Sequence, residues 1–377
     1  MNTSLNRAEL KVSGVIYGGW TSLRIERGME QIAGTFSLGI TERWAGQSDK
    51  RPIKAGQPCQ VLIDGIPVIT GYVDDANPSY DANQHGITVS GRDKTCDLVD
   101  CAAIHKGGYW KGAKLDKIAA DLCAPFGIKV IVDTDVGNAI PSFKLNEGES
   151  VFEALERAAR LRALLLVSDG LGNLVITRTA RIRIPTALIE GGNILSASGT
   201  FSWKERYSHY IVKGQAAPDG DEFNQTTHTS PNGNADDPVI NRYRPQIVIA
   251  EDQGNGVTLK QRAEWERSVR VGRGNRATIK VQGWKHDAGI WLPNRLVPVR
   301  SPYLDVDADL LISSVAYTLD ESGTCSELQV CRAEAFEMIS GVKGTRLKNA
   351  IRGANGAEQN VKKGSQGGKK KQDWSIQ

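Results

Sequence analysis

The sequence predicts a mainly β protein with an α+β insert. Three observations lead there. Glycine accounts for 40 of the 377 residues, which suits a chain with many tight turns. Apolar and polar side chains alternate with period two between residues 10 and 95, and strand patterns return from about residue 181. Between these regions the apolar spacing becomes helical. A chain of this length holds two to four domains as a prior and can bury several cores without metal or disulfide staples.

In the first region, Phe36, Leu38 and Ile40 alternate with Ser37 and Gly39, the mark of a half-buried strand. The run from Cys59 to Val73 predicts a hairpin, with Asp64-Gly65 as a two-residue turn between apolar arms. A further strand follows at 86–91. Short strands with frequent turns point to a barrel or sandwich.

After Gly91 the pattern changes. Leu115, Ile118, Ala119, Leu122 and Phe126 fall at helical spacing, and Pro125 and Gly127 stop that helix. Ser150-Val151-Phe152-Glu153 is a capping box, in which the serine accepts from the amide three residues on and the glutamate reaches back. It opens a helix through 152–164. Residues 164–178 then read as a hairpin turning near Asp169-Gly170. The span 96–180 is predicted to be a small α+β unit.

Strands resume with 209–214. Residues 215–245 hold Pro218, Pro231, Pro238 and Pro245 among Asp, Asn, Gly and Thr, and read as a long polar insertion, either mobile or ordered by a partner. A charged helix over 258–270 precedes strands at 277–284 and 295–300. In a terminal hairpin, Leu311, Val315, Tyr317 and Leu319 face Leu328 and Val330 across a turn at Glu321-Ser322-Gly323. Residues 341–377 carry nine Lys or Arg against Glu358 and Asp373, a net +7 that leaves −3 on the rest of the chain. Gly-rich and cationic, this tail is predicted to be disordered, and the body is not a basic nucleic-acid binder. The predicted divisions are therefore 1–95, 96–180, 181–340 with a polar insertion at about 215–245, and 341–377.

The sequence offers no catalytic, cofactor-binding or metal-binding residues. Gly272 to Ala277 fits G-x-G-x-x-A, but it follows a charged helix and precedes a strand, the reverse of the order that cradles a dinucleotide, and reads as a glycine turn. Asp305, Asp307 and Asp309 begin like a calcium loop, yet Leu310 and Ala316 stand where glycine and a bidentate glutamate are needed. The five histidines (85, 105, 209, 228, 286) show no metal-ligand spacing, and the six cysteines (59, 96, 101, 123, 325, 331) form no Cys-x-x-Cys pair and read as small buried side chains. Glu147 and Glu149 are explained by the positive end of a helix. Arg262, Arg267, Arg270, Arg273 and Arg276 read as a solvated helix face, with Glu266 and Arg270 paired. Asn224-Gln225-Thr226 matches a glycosylation acceptor but follows no secretory signal. The longest aliphatic run, Ala163–Val167, is far too short to span a bilayer, and the start of the chain lacks an apolar signal segment, which predicts synthesis in the cytosol. These features describe a structural or interaction protein.

The order of segments resembles the baseplate hub proteins of Mu-like contractile-tailed bacteriophages, related to late control protein D. The resemblance lies in SGRDKTCDLVDC at 90–101, LDKIAADLCAPFGIKV at 115–130 and the GESVFEALERAARLRALLLVSDGLGNLVITR block. It is most specific over 283–336, with Gly283-Trp284, Trp291-Leu292-Pro293-Asn294, Leu310-Leu311-Ile312 and Ser322-Gly323-Thr324 followed by Glu327-Leu328. It covers roughly 12–336, leaving out the insertion and the tail.

The resemblance implies two tail-tube-like β-barrels per chain, one in 1–95 and one in 181–340, assembling into a pseudo-six-fold trimeric ring. It implies a homotrimer that joins a hexameric tail tube to a trimeric central spike, with further contacts to tape-measure and baseplate wedge proteins, transient passage of phage DNA and no membrane insertion. It places the protein in the virion baseplate, after assembly in the host cytoplasm. The competing readings are the hub of a phage-derived injection or secretion particle, a tail-associated cell-wall hydrolase and a nucleic-acid-binding tail component.

Overall fold

The computed structural model describes residues 6–41, 53–81, 85–160, 164–179, 182–214, 232–249, 259–321 and 323–337. The first region forms β1 (Ala8–Val12), β2 (Val15–Tyr17), β3 (Ser22–Gly28), β4 (Thr35–Thr41), β5 (Pro58–Ile63), β6 (Ile66–Tyr80) and β7 (His85–Asp93). The next comprises α1 (Cys96–Asp100), β8 (Tyr109–Ala113), α2 (Leu115–Cys123), β9 (Val130–Val132), β10 (Ile140–Lys144), α3 (Val151–Arg160), β11 (Leu165–Ser168) and β12 (Leu174–Thr177). The remainder forms β13 (Leu188–Ile189), β14 (Ile194–Phe201), β15 (His209–Lys213), β16 (Asn232–Asp236), β17 (Pro245–Ile249), α4 (Leu259–Gly274), β18 (Asn275–Gln282), β19 (Lys285–His286), β20 (Gly289–Ile290), β21 (Leu296–Ser301), β22 (Val306–Asp320) and β23 (Gly323–Cys331).

Local chemistry sets the turns and caps. Asp64 and Gly65 both have positive φ, 48° and 79°, the twist that a two-residue hairpin turn needs, and Ile63 pairs with Ile66 across it. At the start of α3 the Glu153 amide donates to Ser150 Oγ at 3.2 Å while Glu153 Oε2 accepts from the Ser150 amide at 2.8 Å. Helix α2 ends at Cys123, a 3-10 turn carries Pro125, and Gly127 at φ 63° closes the unit.

The two β regions share one sheet. Its strands run β14-β18-β23-β22-β3-β4-β7-β6-β5-β1-β2, with β21 beside β22 and β13 beside β21. This corrects the expectation of two separate barrels: among the described residues the path is open at β14 and at β2. The reason lies in the length of β22. Its first part pairs with β21, and Ser314–Leu319 go on to pair with β3 of the first region. Apolar side chains of both regions, among them Leu10, Val61, Val89, Ile279, Trp284, Trp291 and Leu328, form one buried cluster.

The strand plan occurs twice. Strands β3, β4, β5, β6 and β7 correspond in order and pairing to β14, β18, β21, β22 and β23. Both β6 and β22 are 15 residues long. Pairing with the preceding strand ends at Tyr72 in one and Leu311 in the other, and a register shift follows in each, between Val73 and Asp75 and between Ile312 and Ser314. Residues 96–177 enter after β7 and carry their own core, centred on Leu98, Ile118, Leu155 and Ile176. They dock on the sheet through close backbone approaches. A Cβ on Gly170 would lie 2.1 Å from the Pro67 carbonyl, Thr70 Oγ1 donates to the Gly170 carbonyl at 2.9 Å, and Arg27 donates to the Ser168 carbonyl at 2.9 Å.

Within the predicted polar loop, the described residues 232–245 include strand structure. Residues 232–236 pair with β15 antiparallel and Pro245–Ile249 pair with it parallel. Tyr210, Val212, Ala235 and Ala263 of α4 close a small core beneath them. The strand Asn232–Asp236 is almost wholly polar because its packed positions must be small: a Cβ on Gly233 would fall 2.1 Å from the α4 backbone at Leu259. Residues 215–231, with Asn224-Gln225-Thr226, and the basic tail 341–377 lie outside the described residues.

Candidate interaction surfaces

The chemistry-bearing motifs do not converge. The Gly272 motif lies where α4 runs straight into β18, and its glycines permit close packing: a Cβ on Gly272 would sit 2.6 Å from the Ala335 amide nitrogen, and one on Gly274 2.5 Å from the Ser202 carbonyl. Asp309 pairs with Arg183 at 2.7 Å, and Asp307 with Arg300 at 3.7 Å. His105 stacks on Trp110, His286 lies beside Trp291 and His209 contacts Asp236 at 2.7 Å, in three separate places. Among the described residues no group of three or more His, Cys, Asp or Glu is placed to hold a metal ion. Burial pushes the thiols of Cys59, Cys96 and Cys123 up to about 12, far from the thiolate needed for reactivity.

The arginine cluster is largely committed to partners within the chain. Arg262 and Arg270 both reach Glu266, at 2.9 and 3.4 Å, Arg267 donates to the Asp236 carbonyl at 3.2 Å, and Arg276 pairs with Glu30 at 2.6 Å. Glu149 pairs with Arg157 at 2.7 Å and accepts from the Asn146 amide at the same distance.

What the fold does assemble is a broad polar face. In a sheet, directly opposite residues share a face. One transverse row runs Ser196, Lys280, Glu327, Ala316, Glu26, Thr35 and Arg92. The next runs Cys325, Thr318, Arg24, Ser37, Ser90 and Asp75. Short hydroxyl side chains recur along it, and its arginines are neutralised in place. Arg24 pairs with Glu26 and with Glu327, the latter at 3.3 Å. Arg92 lies 2.7 Å from Asp74 and 2.9 Å from Asp100. Hydrogen bonding to Asp74 and Asp100 holds the Arg92 guanidinium above its ordinary pKa, so it stays charged and paired.

Two stretches of sheet edge are open beside this face. Among the described residues, strand β14 has a neighbour, β18, on one side only, and from Asp74 to Ser79 the only strand beside β6 is β7. Phe201 and Tyr80 near these edges are 58% and 83% exposed, although both belong to core-type rows. Sequence patterning identifies the alternating strands but not the shared face, because the register joining β3 to β22 spans nearly the whole chain.

Residues 7–93 match the family model described as Mu phage baseplate assembly protein GpP-like, N-terminal, and residues 256–339 match the fourth domain of GpP. Residues 95–178 match the second domain of the gp44-like baseplate hub proteins. Baseplate hub protein gp44 of Escherichia phage Mu is 35% identical over 340 residues, covering 88% of this chain and 89% of that protein. Among solved structures, the 43 kDa tail protein of prophage MuSo2 from Shewanella oneidensis superposes with a TM-score of 0.79 at 38% identity, over 88% of this chain and all of that one. A tail protein from Neisseria meningitidis MC58 gives a TM-score of 0.75 at 24% identity, over 88% of this chain and 99% of that one.

Proposed function

The chain belongs to the Mu-like baseplate hub family, and from that membership we propose that it works as a homotrimeric symmetry adaptor at the centre of a contractile tail. One end of the ring meets a six-fold tail tube, the other a three-fold spike, and the lumen passes DNA. The observation that carries this reading is the repeated five-strand plan. An interface repeats only where both partners share a rotation. Three chains with two similar units each offer six quasi-equivalent positions to a tube while keeping true three-fold symmetry for a spike.

The polar face suits the wall of the lumen. Phosphates bind wherever a protein offers them free cations, because each contact releases counterions. A conduit must let DNA slide, so arginines on its wall are better neutralised, as Arg24 and Arg92 of this face are. The role is mechanical and asks no bond chemistry of this chain. It places the protein in the virion baseplate, with assembly in the host cytoplasm and contacts to tape-measure and wedge proteins.

The test is reconstitution. Purified hub mixed with the tube and spike proteins of the same particle should give a stacked complex with three hub chains. A hub that binds either partner at another stoichiometry, or that clears a peptidoglycan suspension by itself, would overturn the reading.

A further inference from the structure

Beyond the neutral sheet face lies a surface of another kind. Where β14 passes into the β15–β17 unit and α4 passes into β18, the fold gathers cations and rings from residues 203–207, 242–244 and 270–273. Arg244 ties two of these stretches together: its Nε donates to the Arg206 carbonyl at 3.1 Å and its Nη2 to the Lys204 carbonyl at 2.8 Å. The guanidinium carbons of Arg244 and Arg270 lie 5.3 and 5.5 Å from the centre of the Tyr207 ring, and that of Arg206 lies 5.9 Å from a Trp203 ring. A Cβ on Gly274 would sit 3.6 Å from Arg206 Cδ, so the end of α4 belongs to the same surface. Exposed Lys204, Arg242 and Arg273 complete it, and Trp203 and Tyr243, 46% and 82% exposed, stand among them.

The charges here are not balanced in place. Asp237 is held by Arg206, and Glu266 is shared between Arg262 and Arg270. Among the described residues Lys204, Arg242, Arg244 and Arg273 have no carboxylate partner, and Arg270 Nε is buried without an acceptor. The acids that offset them in the sequence are Asp219, Asp221, Glu222, Glu251 and Asp252. These belong to the connections joined at Lys213, Asn232 and Ile249, the opposite end of β15–β17, about 13 Å away along β15. Strand direction therefore separates the two signs. The basic tail also starts close by: Trp265 Nε1 of α4 donates to the Glu337 carbonyl, about 12 Å along the helix from Arg273, and residues 341–377 follow with their net +7.

We propose that this arginine–aromatic surface binds the phosphate backbone of duplex DNA at one mouth of the conduit. The chemistry favours phosphate. Guanidinium forks match its oxygens, and a guanidinium laid against a ring is already oriented, so it loses little freedom on binding. Cations without a carboxylate release counterions when they meet DNA, whereas Arg24 and Arg92 are already neutralised on the sheet face. The position also fits, because the end of β14 and the start of β18 mark one end of the strands that carry the polar face. The wall lets the duplex slide and the mouth holds it. The net charge of −3 on the body conceals this local surface, which only the folded chain assembles from three distant stretches.

The proposal takes the source of the DNA from the conduit reading, and the experiment separates the two. A fluorescently labelled 20-base-pair duplex is titrated with the full chain across a salt series, and binding is read by anisotropy. Three variants are compared with the native chain: Lys204→Gln, Arg242→Gln and Arg273→Gln together; Lys362, Lys363, Lys369, Lys370 and Lys371 all changed to Gln; and, as a control elsewhere on the surface, Lys11→Gln, Lys54→Gln and Lys111→Gln together. All three substituted patch residues are exposed, so the fold is kept. The patch variant should lose about tenfold in affinity at low salt and lower the salt slope by about two to three, as each phosphate contact contributes about 0.9. The control should change less than twofold, and the tail variant should weaken binding as well. Equal loss in patch and control variants, or native binding by the patch variant while the tail variant loses it, overturns the surface as a DNA site. Absence of binding by the native chain overturns it too and directs the patch to an acidic protein. Assembly with tube and spike is scored on the same variants. Normal stacking without patch-dependent binding leaves the conduit reading intact, and patch-dependent binding by a chain that stacks on neither partner overturns that reading alone.

Discussion

The Arg206–Asp237 pair is the most demanding electrostatic element of the structure. Their side chains are 7% and 3% exposed. The guanidinium donates from Nε at 2.9 Å and from Nη2 at 2.7 and 3.0 Å, and Asp237 also accepts from the Val239 amide at 3.2 Å. Asp237→Ala leaves the guanidinium buried without its partner. Breaking a buried pair in this way costs about 3–5 kcal/mol, against about 0–1 kcal/mol for an exposed pair. The loss should be local to β15–β17 and α4, whose small core is separate from that of the large sheet. Hydrogen exchange read by mass spectrometry is the suitable assay, because a chain with several cores need not unfold in one step. Peptides from 207–213 and 232–249 should lose protection by a factor of between about a hundred and a few thousand, as 1.4 kcal/mol is tenfold, while β3 and β4 stay protected. Arg206→Met with Asp237→Leu should recover much of the loss, since an apolar pair avoids the desolvation cost. Less than a threefold change for Asp237→Ala would refute the reasoning.

Glu26→Gln combined with Glu327→Gln releases Arg24 from both carboxylates, so retention on a DNA column at low salt should rise and fall again steeply with salt. In native protein an aromatic disulfide reagent should label Cys101 ahead of Cys59, Cys96, Cys123 and Cys331, because only Cys101 is partly exposed; burst labelling of the others would contradict their burial. Glu190 accepts from Ser301 Oγ and the Tyr303 amide, which hold its carboxyl below its ordinary range. The stability this provides is present above the unfolded carboxylate pKa and is lost as pH falls through the lower folded value. Glu190→Gln should therefore flatten the melting-temperature profile below about pH 4.3, the unperturbed glutamate value, and leave the slope at neutral pH unchanged.

What the sequence discloses here is what neighbouring residues decide. The Asp64-Gly65 turn, the Ser150–Glu153 cap and the helix stop at Pro125 and Gly127 each depend on a few adjacent side chains. The junction of β3 with β22 does not. Residues 306–320 read as one arm of a hairpin, and nothing in their alternation tells which strand takes the second edge. Close approaches stay hidden for the same reason. Gly91 is required because a Cβ there would lie 2.1 Å from the Tyr72 carbonyl and 2.7 Å from the Phe36 ring, and only the folded sheet brings those atoms together. The strand Asn232–Asp236 shows the limit of polarity as a guide, since a small polar strand packed on a helix looks like a loop.

The central claim is that one polypeptide supplies two of six equivalent positions. A three-dimensional reconstruction of the assembled hub tests it most directly. The account predicts a three-fold particle of about three times 40.9 kDa, in which β3–β7 and β14, β18 and β21–β23 superpose on one another by a rotation of about 60° around the ring axis. A particle in which the two sets lie at different radii, or in which only one set lines the lumen, would contradict it.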